Sequence, residues 1–372
     1  MKKFIFGKLV DEENICNLEK EKELISKHIN AGNNVVIYGP RNSGKTSLVK
    51  NIIIRDFKLK HPKNFVYFVD LFNANDSSSM NFRLKAALEH SLAQIPLKKW
   101  TNDIQGFISG LRPEFSLDPV TGSANISLKS IDYKDSQSIY EIFNILSKIA
   151  ATRKLLLVFD EFQDIAGLKA EQGIIRGILQ EINASVVIMG SKSHLLKEIF
   201  SSPREPFYQW GVSIEFKPID YKVYHDYIQE RFAEKQLFIK YQEAEKLQDD
   251  MHRVPEAINI VCNELMENYR NITIEHEHIS QVILSLLETK QGQYEELLRC
   301  FSLNEQIVLV SIAKKGTIKQ YNAKEYIAEL RMNNKTVANI FRKMLDEGHL
   351  DYYEDHYRLN DPLLEIFLKL YR

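Results

Sequence analysis

Val35-Val36-Ile37-Tyr38-Gly39-Pro40-Arg41-Asn42-Ser43-Gly44-Lys45-Thr46-Ser47 is the stretch on which the reading of this chain turns. A short, mostly β-branched apolar run opens straight into a glycine-bracketed loop, and a helical pattern follows at once. The loop fits G-x-x-x-x-G-K-[ST] in the strand-to-helix setting that gives the motif its meaning. Gly39 and Gly44 let the backbone bend close to phosphate oxygens without a Cβ in the way. The N–H groups of the loop and of the helix start then face an anion. Lys45 brings a compact positive charge to the β- and γ-phosphates, and Thr46 brings a hydroxyl to Mg²⁺. The expected nucleotide-binding set is therefore Gly39, Pro40, Arg41, Asn42, Ser43, Gly44, Lys45, Thr46 and Ser47, with ATP and Mg²⁺ as the implied ligands.

Working outward, strands and helices alternate up to about residue 217. Phe65–Asp70, Leu155–Phe159, Ser185–Met189 and Val212–Phe216 read as further strands, apolar almost throughout, as strands covered on both faces should be. Helices are predicted at 17–29, 47–58, 80–93, 136–151 and 174–182. The pattern predicts an α/β core built on a five-stranded parallel sheet. Between about 113 and 135 alternating residues around Asp118-Pro-Val-Thr-Gly122 predict an inserted β-hairpin. From Pro218 the pattern is helical only and predicts an all-α lid over 218–293. The last segment, 294–372, reads as three helices, two short strands around Glu354-Asp355 and a closing helix from Pro362, the plan of a winged helix-turn-helix.

At 372 residues the chain has room for two or three domains. Composition is that of an ordinary globular protein, 44% hydrophobic and 27% charged, and a net charge of −1 advertises no global affinity for nucleic acid. Cys16, Cys262 and Cys300 are scattered in no metal-binding spacing. The apolar opening is interrupted by Gly7 and Lys8, too short for a secretory core, and no run approaches the roughly 18 apolar residues of a membrane span. The expectation is a soluble, cytoplasmic protein with no membrane partner.

A phosphate loop needs a carboxylate near it to hold the metal ion. Asp160-Glu161 closes the most apolar strand of the chain, a costly place for two acids unless a cation sits there. Asp160 is the expected metal-side ligand with Thr46, and Glu161 the residue that polarises the attacking water. Lys45, Asp160 and Glu161 are thus the candidate catalytic set. Ser191 and Ser193 follow the fourth strand, where each is a candidate sensor of the γ-phosphate or a helix N-cap. Arg204 is a candidate finger or a solvated loop residue. Arg253 and Pro255 open a lid helix; Arg253 is a candidate phosphate contact and Pro255 a candidate base contact, and both also fit an ordinary helix start.

Together these segments resemble the prokaryotic ATPases of the AAA+/STAND border, the archaeal ATPase family and its bacterial relatives. The resemblance runs from Phe6-Gly7-Lys8 and Asn17-Leu-Glu-Lys-Glu21 through GPRNSGKTSL, the hairpin, LLLVFDEFQD and MGSKSHLL to the terminal Tyr357-Arg-Leu-Asn-Asp-Pro-Leu363. It implies an ATPase core, a helical lid and a winged helix, similar in plan to archaeal replication-initiator ATPases. Three positions depart from the family pattern: Leu18 stands where many relatives have arginine, Tyr208-Gln209-Trp210 where they often have Tyr-Gly-Arg, and Arg253-Val-Pro255 where STAND proteins have Gly-x-Pro.

The expected role is an ATP-driven switch that couples nucleotide state to a winged-helix docking module for a protein partner. The alternative is an ATP-gated DNA-binding initiator or regulator. For DNA, Lys335, Asn339, Arg342 and Lys343 are the candidate contacts, outward or flanking on a helix whose Val337, Ile340, Phe341 and Met344 face inward. Against it, residues 301–372 hold 11 Lys and Arg against 10 Asp and Glu, and the wing tip is acidic.

Overall fold

Leu155–Asp160 is buried at every position, and the central sheet is laid down around it. The computed structural model describes residues 2–60, 63–95, 113–117, 124–128 and 137–372, with Pro113, Phe115, Ser116, Leu117, Ala124, Asn125, Ser193 and His194 described in backbone only. They fall into two units. The first, the core unit, comprises Leu18–Gly39 and Lys45–Phe216; the second comprises Met1–Asn17, Pro40–Gly44 and Lys217–Arg372.

In the core unit, α1 (Glu19–Asn30) precedes β1 (Val35–Tyr38). After the loop come α2 (Lys45–Leu48), a π-helical segment at Val49–Ile54 and α3 (Arg55–Lys60). Then follow β2 (Phe65–Asp70), α4 (Ser77–Ala93), the hairpin strands β3 (Pro113–Leu117) and β4 (Ala124–Leu128), and α5 (Gln137–Ala150). The unit closes with β5 (Leu155–Asp160), α6 (Lys169–Glu181), β6 (Ala184–Gly190), α7 (Ser193–Ser201) and β7 (Val212–Glu215). The sheet is parallel throughout, in the order β2-β5-β6-β1-β7. Its register sets Tyr38 beside Gly190 and Asp70 beside Asp160, so Gly39, Asp160 and Ser191 all lie at or just past the carboxyl ends. Open α/β sheets bind ligands at that edge.

The expected hairpin is present and antiparallel, with Ile126 and Leu128 buried in the core cluster beside Leu88; the turn at 118–122 and residues 129–135 lie outside the described residues. In α1, Ile25 and Ile29 are buried while Leu24 is 40% exposed.

The second unit has its own core. Its lid part contains α8 (Tyr221–Phe232), α9 (Tyr241–Asp250), α10 (Pro255–Asn268) and α11 (His276–Arg299). It is not purely helical. Strands β8 (Phe238–Ile239) and β9 (Thr273–Ile274) form a two-residue parallel pair, where β-branched residues flank the turns between helices. Helix α11 runs unbroken through position 293, the limit expected between lid and winged helix. The winged helix follows the expected plan: α12 (Leu303–Lys315), α13 (Lys324–Leu330), α14 (Asn334–Asp346), an antiparallel wing of β10 (Leu350–Tyr353) and β11 (His356–Leu359), and α15 (Pro362–Tyr371). The N-terminal segment packs here too. Phe4 sits edge-on to Tyr227 and Phe232, and the buried Arg231 guanidinium lies 3.5 Å from the Tyr227 ring centre while its Nε donates to the Lys3 carbonyl. Among the described residues no helix is long and apolar enough to cross a membrane.

Gly39 is required by packing as well as by phosphate. A Cβ there would stand 2.7 Å from Phe216 Cβ and 2.8 Å from the Phe216 carbonyl oxygen. Since the backbone of the strand end cannot swing aside as a side chain can, Gly39→Ala is expected to destabilise the nucleotide-free protein by about 1–3 kcal/mol. Denaturant unfolding measures it, and an unchanged midpoint would refute the close approach.

Candidate active site

Two residues of the loop hold left-handed backbone: Gly44 at φ 88° and Asn42 at φ 57°. Glycine adopts that region at no steric cost, and asparagine tolerates it better than most residues. The chain then enters α2 with Lys45 6% exposed, its Nζ donating to the Gly39 carbonyl at 2.8 Å. The next hydroxyl, Thr46 Oγ1, donates to Asp160 Oδ2 at 3.1 Å. The structure thus brings together the loop's first helical residues and the acid closing β5, as the sequence predicts.

Asp160 is 6% exposed, and its carboxyl is pushed up to about 6. Burial is the main cause, with the neighbouring charges of Glu161 and Asp70 adding to it; hydrogen bonds from the Glu161 N–H and from Thr46 pull the other way. No lysine or arginine among the described residues pairs with it. A buried carboxylate beside a threonine hydroxyl, lacking a cationic partner, suits Mg²⁺, which keeps most of its water and takes few protein ligands. Among the described residues there is no group of three or more His, Cys, Asp or Glu that could hold a metal ion by themselves. The nucleotide phosphates would complete the coordination begun by Thr46 and Asp160.

Glu161 is held in the left-handed region at φ 49°, ψ 41°. For a residue with a Cβ this costs roughly 1–3 kcal/mol and persists only where the surroundings enforce it. Here they do. Glu161 Oε2 accepts from Ser191 Oγ at 2.9 Å and from Gln163 Nε2 at 2.5 Å, and the Ser191 N–H lies 3.4 Å away. Ser191 is therefore tied to Glu161 and does not cap α7, whose preceding residue is Lys192. The Ser193 side chain lies outside the described residues. Gln163 and Gly190 are the participants that the motif reading missed; the one available signal was a glutamine set between two carboxylates at a buried strand end.

Arg204 is exposed on the loop before β7, while its neighbour Glu205 is buried and ion-paired with Lys169 at 2.6 Å. In the second unit, His252 and Arg253 hold consecutive left-handed conformations and α10 begins at Pro255. The Arg253 guanidinium stacks 4.0 Å from the Tyr221 ring centre and donates to the Ile219 carbonyl. Arg253 and Pro255 line one small pocket with Pro40, Arg41, Ser43 and Arg358. The Arg41 guanidinium lies over the backbone of Gly348, within 3 Å of where a Cβ would stand. On α14, Lys335, Asn339, Arg342 and Lys343 are all exposed as expected, but Lys343 is committed to Glu305 at 2.7 Å.

A phosphate loop after β1, and an acidic pair closing a strand separated from β1 by one other strand, define a P-loop ATPase fold of the AAA+ type. The chain belongs to the family described as an ATPase domain predominantly from Archaea, whose model matches residues 16–246; a probable winged helix domain matches 292–370. It is 28% identical over 172 residues to the ATP-binding protein MJ1659 of Methanocaldococcus jannaschii, a match covering 43% of this chain and only 46% of that protein. Among solved structures it is similar to the Walker-type ATPase PABY2304 of Pyrococcus abyssi, at a TM-score of 0.63 and 15% identity over 98% of this chain and 99% of that one. The Aeropyrum pernix ORC1 protein, solved in complex with DNA, aligns at a TM-score of 0.54 and 14% identity over 100% and 98%. These structural likenesses concern the fold.

The raised carboxyl of Asp160 has a consequence for stability. The unfolded chain releases that proton near 3.8 and the folded chain near 6. Between those values the folded form binds more protons, so it loses relative stability as pH rises, by about 3 kcal/mol once both are ionised. Nucleotide-free Asp160→Asn is expected to unfold at higher denaturant than the parent at pH 7, an advantage that vanishes near pH 4. An equal difference at both pH values would contradict it.

Proposed function

We propose that this chain is an ATP-binding and ATP-hydrolysing switch that couples nucleotide state, through its lid at 218–293, to a winged-helix docking module at 294–372 in the cytoplasm. The observation that carries this reading is the Thr46–Asp160 hydrogen bond with Glu161 directly behind it. Lys45 would bind the β- and γ-phosphates, and Thr46 with Asp160 would hold Mg²⁺, which when bound offsets charge on the phosphates. Glu161 orients a water and takes its proton as the water oxygen bonds to the γ-phosphorus and the bond to the ADP oxygen breaks. Coupling to the docking module is supported by Arg41, a residue of the phosphate loop that lies against Gly348 beside the wing. The docked client is most simply a protein.

Lys45→Ala is expected to abolish ATP binding. Glu161→Gln is expected to bind ATP normally and hydrolyse it about 10²–10⁴-fold more slowly. Equilibrium nucleotide binding and phosphate release measure the two; an unaltered Lys45→Ala protein would end the proposal.

A second reading, ATP-gated DNA binding, is favoured by the exposed Lys335, Asn339 and Arg342 along one side of α14. It expects a gel shift at low salt that weakens as salt rises and is lost in Lys335→Ala/Arg342→Ala. Lys343→Ala should matter little, since its ammonium already pairs with Glu305. No shift at low salt, with or without ATP, would exclude it.

A further inference from the structure

Gln163 lies two residues beyond Glu161 with 2% of its surface exposed. Its amide reaches two carboxylates at once. Nε2 donates to Glu161 Oε2 at 2.5 Å and to Asp164 Oδ1 at 3.0 Å. The amide is thereby oriented, since its nitrogen must face the acids. Its oxygen is left pointing at Gly190, buried and without a hydrogen-bond partner. Gly190 has to be bare to admit it: a Cβ there would stand 1.9 Å from Gln163 Oε1 and 3.1 Å from Cδ. Asp164 is itself anchored, accepting from the Asn73 N–H at 2.8 Å with Lys192 Nζ 3.9 Å away. One glutamine therefore ties the end of β5 to the loop after β2 and to the last residue of β6.

The bonds to Glu161 are lopsided. Gln163 Nε2, Ser191 Oγ and Ser191 N all address Oε2, and nothing among the described residues donates to Oε1. Since β6 lies next to β1 in the sheet, the tie to Ser191 draws the carboxylate toward the strand that carries the phosphate loop. A lysine in the place of Gln163 would hold the same carboxylate but form an ion pair that quenches it as a base; a neutral amide holds without neutralising.

We propose that Gln163 is a positioning residue for ATP hydrolysis: seated in the space left by Gly190, it fixes Glu161 by Oε2 and leaves Oε1 to receive the proton of the attacking water. This rests on Glu161 being the base, as argued above. The water oxygen bonds to the γ-phosphorus, the bond to the bridging oxygen of ADP breaks, and the proton goes to Oε1. Gln163 touches neither water nor phosphate.

The test compares the full chain with Gln163→Met, Gln163→Ala, Gly190→Ala, Gln163→Ala/Gly190→Ala and Glu161→Gln. Each is read for kcat and KM with Mg·ATP, for ATP affinity, and for thermal midpoint without nucleotide. Gln163→Met, equal in length but without a donor, is expected to lower kcat about tenfold to hundredfold while KM stays within about twofold. Gly190→Ala should lower kcat comparably, yet add nothing further to kcat in the Gln163→Ala background; the midpoint is left out of this criterion because a Cβ at 190 would also stand 2.8 Å from Leu196 Cδ1. A folded Gln163→Met protein with parental kcat would overturn the proposal, as would additive effects on kcat at 163 and 190. If Gln163→Met does not fold, the Gly190→Ala arm decides by the same additivity criterion. Parental turnover by Glu161→Gln would refute the base itself, a different outcome from a slow Glu161→Gln beside a fully active Gln163→Met, which would refute only the clamp.

Discussion

An ionised carboxylate at the closed end of an apolar strand is unfavourable by itself, and the core unit is arranged around the place where that cost falls. β5 is buried along its whole length and ends in Asp160, 6% exposed and raised to about 6. Burial gives the acid its character: in solvent it would be an ordinary surface aspartate with no special appetite for a divalent cation. β5 is covered on its two edges by β2 and β6, and the order β2-β5-β6-β1-β7 brings the ends of β5, β6 and β1 to a common edge. The phosphate loop leaves β1 there. Lys45 and Thr46, the first helical residues after it, are buried or half-buried, so the hydroxyl that meets Asp160 is held by the same packing that buries the acid.

The second carboxylate is treated differently. Asp160 is stabilised by hydrogen bonds to both of its oxygens, from the Glu161 N–H and from Thr46. Among the described residues Glu161 is bonded on one oxygen only, and it carries backbone strain at φ 49°. Two adjacent acids thus acquire separate characters, one buried and bonded on both oxygens and one half-exposed, suited to the separate roles of ligand and base proposed for them, because their hydrogen-bond surroundings differ. The left-handed backbone at Glu161 makes this possible, turning the chain sharply at the strand end so that consecutive side chains diverge.

Much of this was legible in the sequence, and what was not has a common cause. The loop, Asp160-Glu161, the five strands and the winged helix are written in local spacing: glycines at fixed offsets, continuous apolar runs, and inward residues at helical period such as Val337, Ile340, Phe341 and Met344. Contacts that depend on distant residues left no such mark. Lys343 read as a candidate DNA contact from its outward or flanking place on the helix, yet its ammonium is held at 2.7 Å by Glu305, 38 positions upstream. Phe4 read as part of a short lead and is buried against Tyr227 and Phe232. The pair β8–β9 is two residues long on each side, too short for alternation to register. Gln163 falls between these cases. It sits inside the most recognisable acidic motif of the chain, but its partner Gly190 comes 27 positions later, and only the parallel register of β5 and β6 puts a bare Cα where the amide needs room.

That register carries an asymmetry between the two glycines at the sheet's carboxyl edge. Gly39 follows β1 and Gly190 ends its neighbour β6, and at each an added Cβ would collide with a packed neighbour. At Gly39 the obstacle is the Phe216 backbone, so the glycine serves the packing of β7 against β1 whether or not nucleotide is bound. At Gly190 the nearest obstacle is the head of a side chain, Gln163, whose burial and orphaned oxygen cost stability and whose two donated bonds both go to acids. A site evolved for stability alone would fill that space with an alanine and an apolar partner. Keeping a buried amide with one unsatisfied atom is the arrangement expected where the position of Glu161 matters more than the few tenths to few kcal/mol that repacking would return.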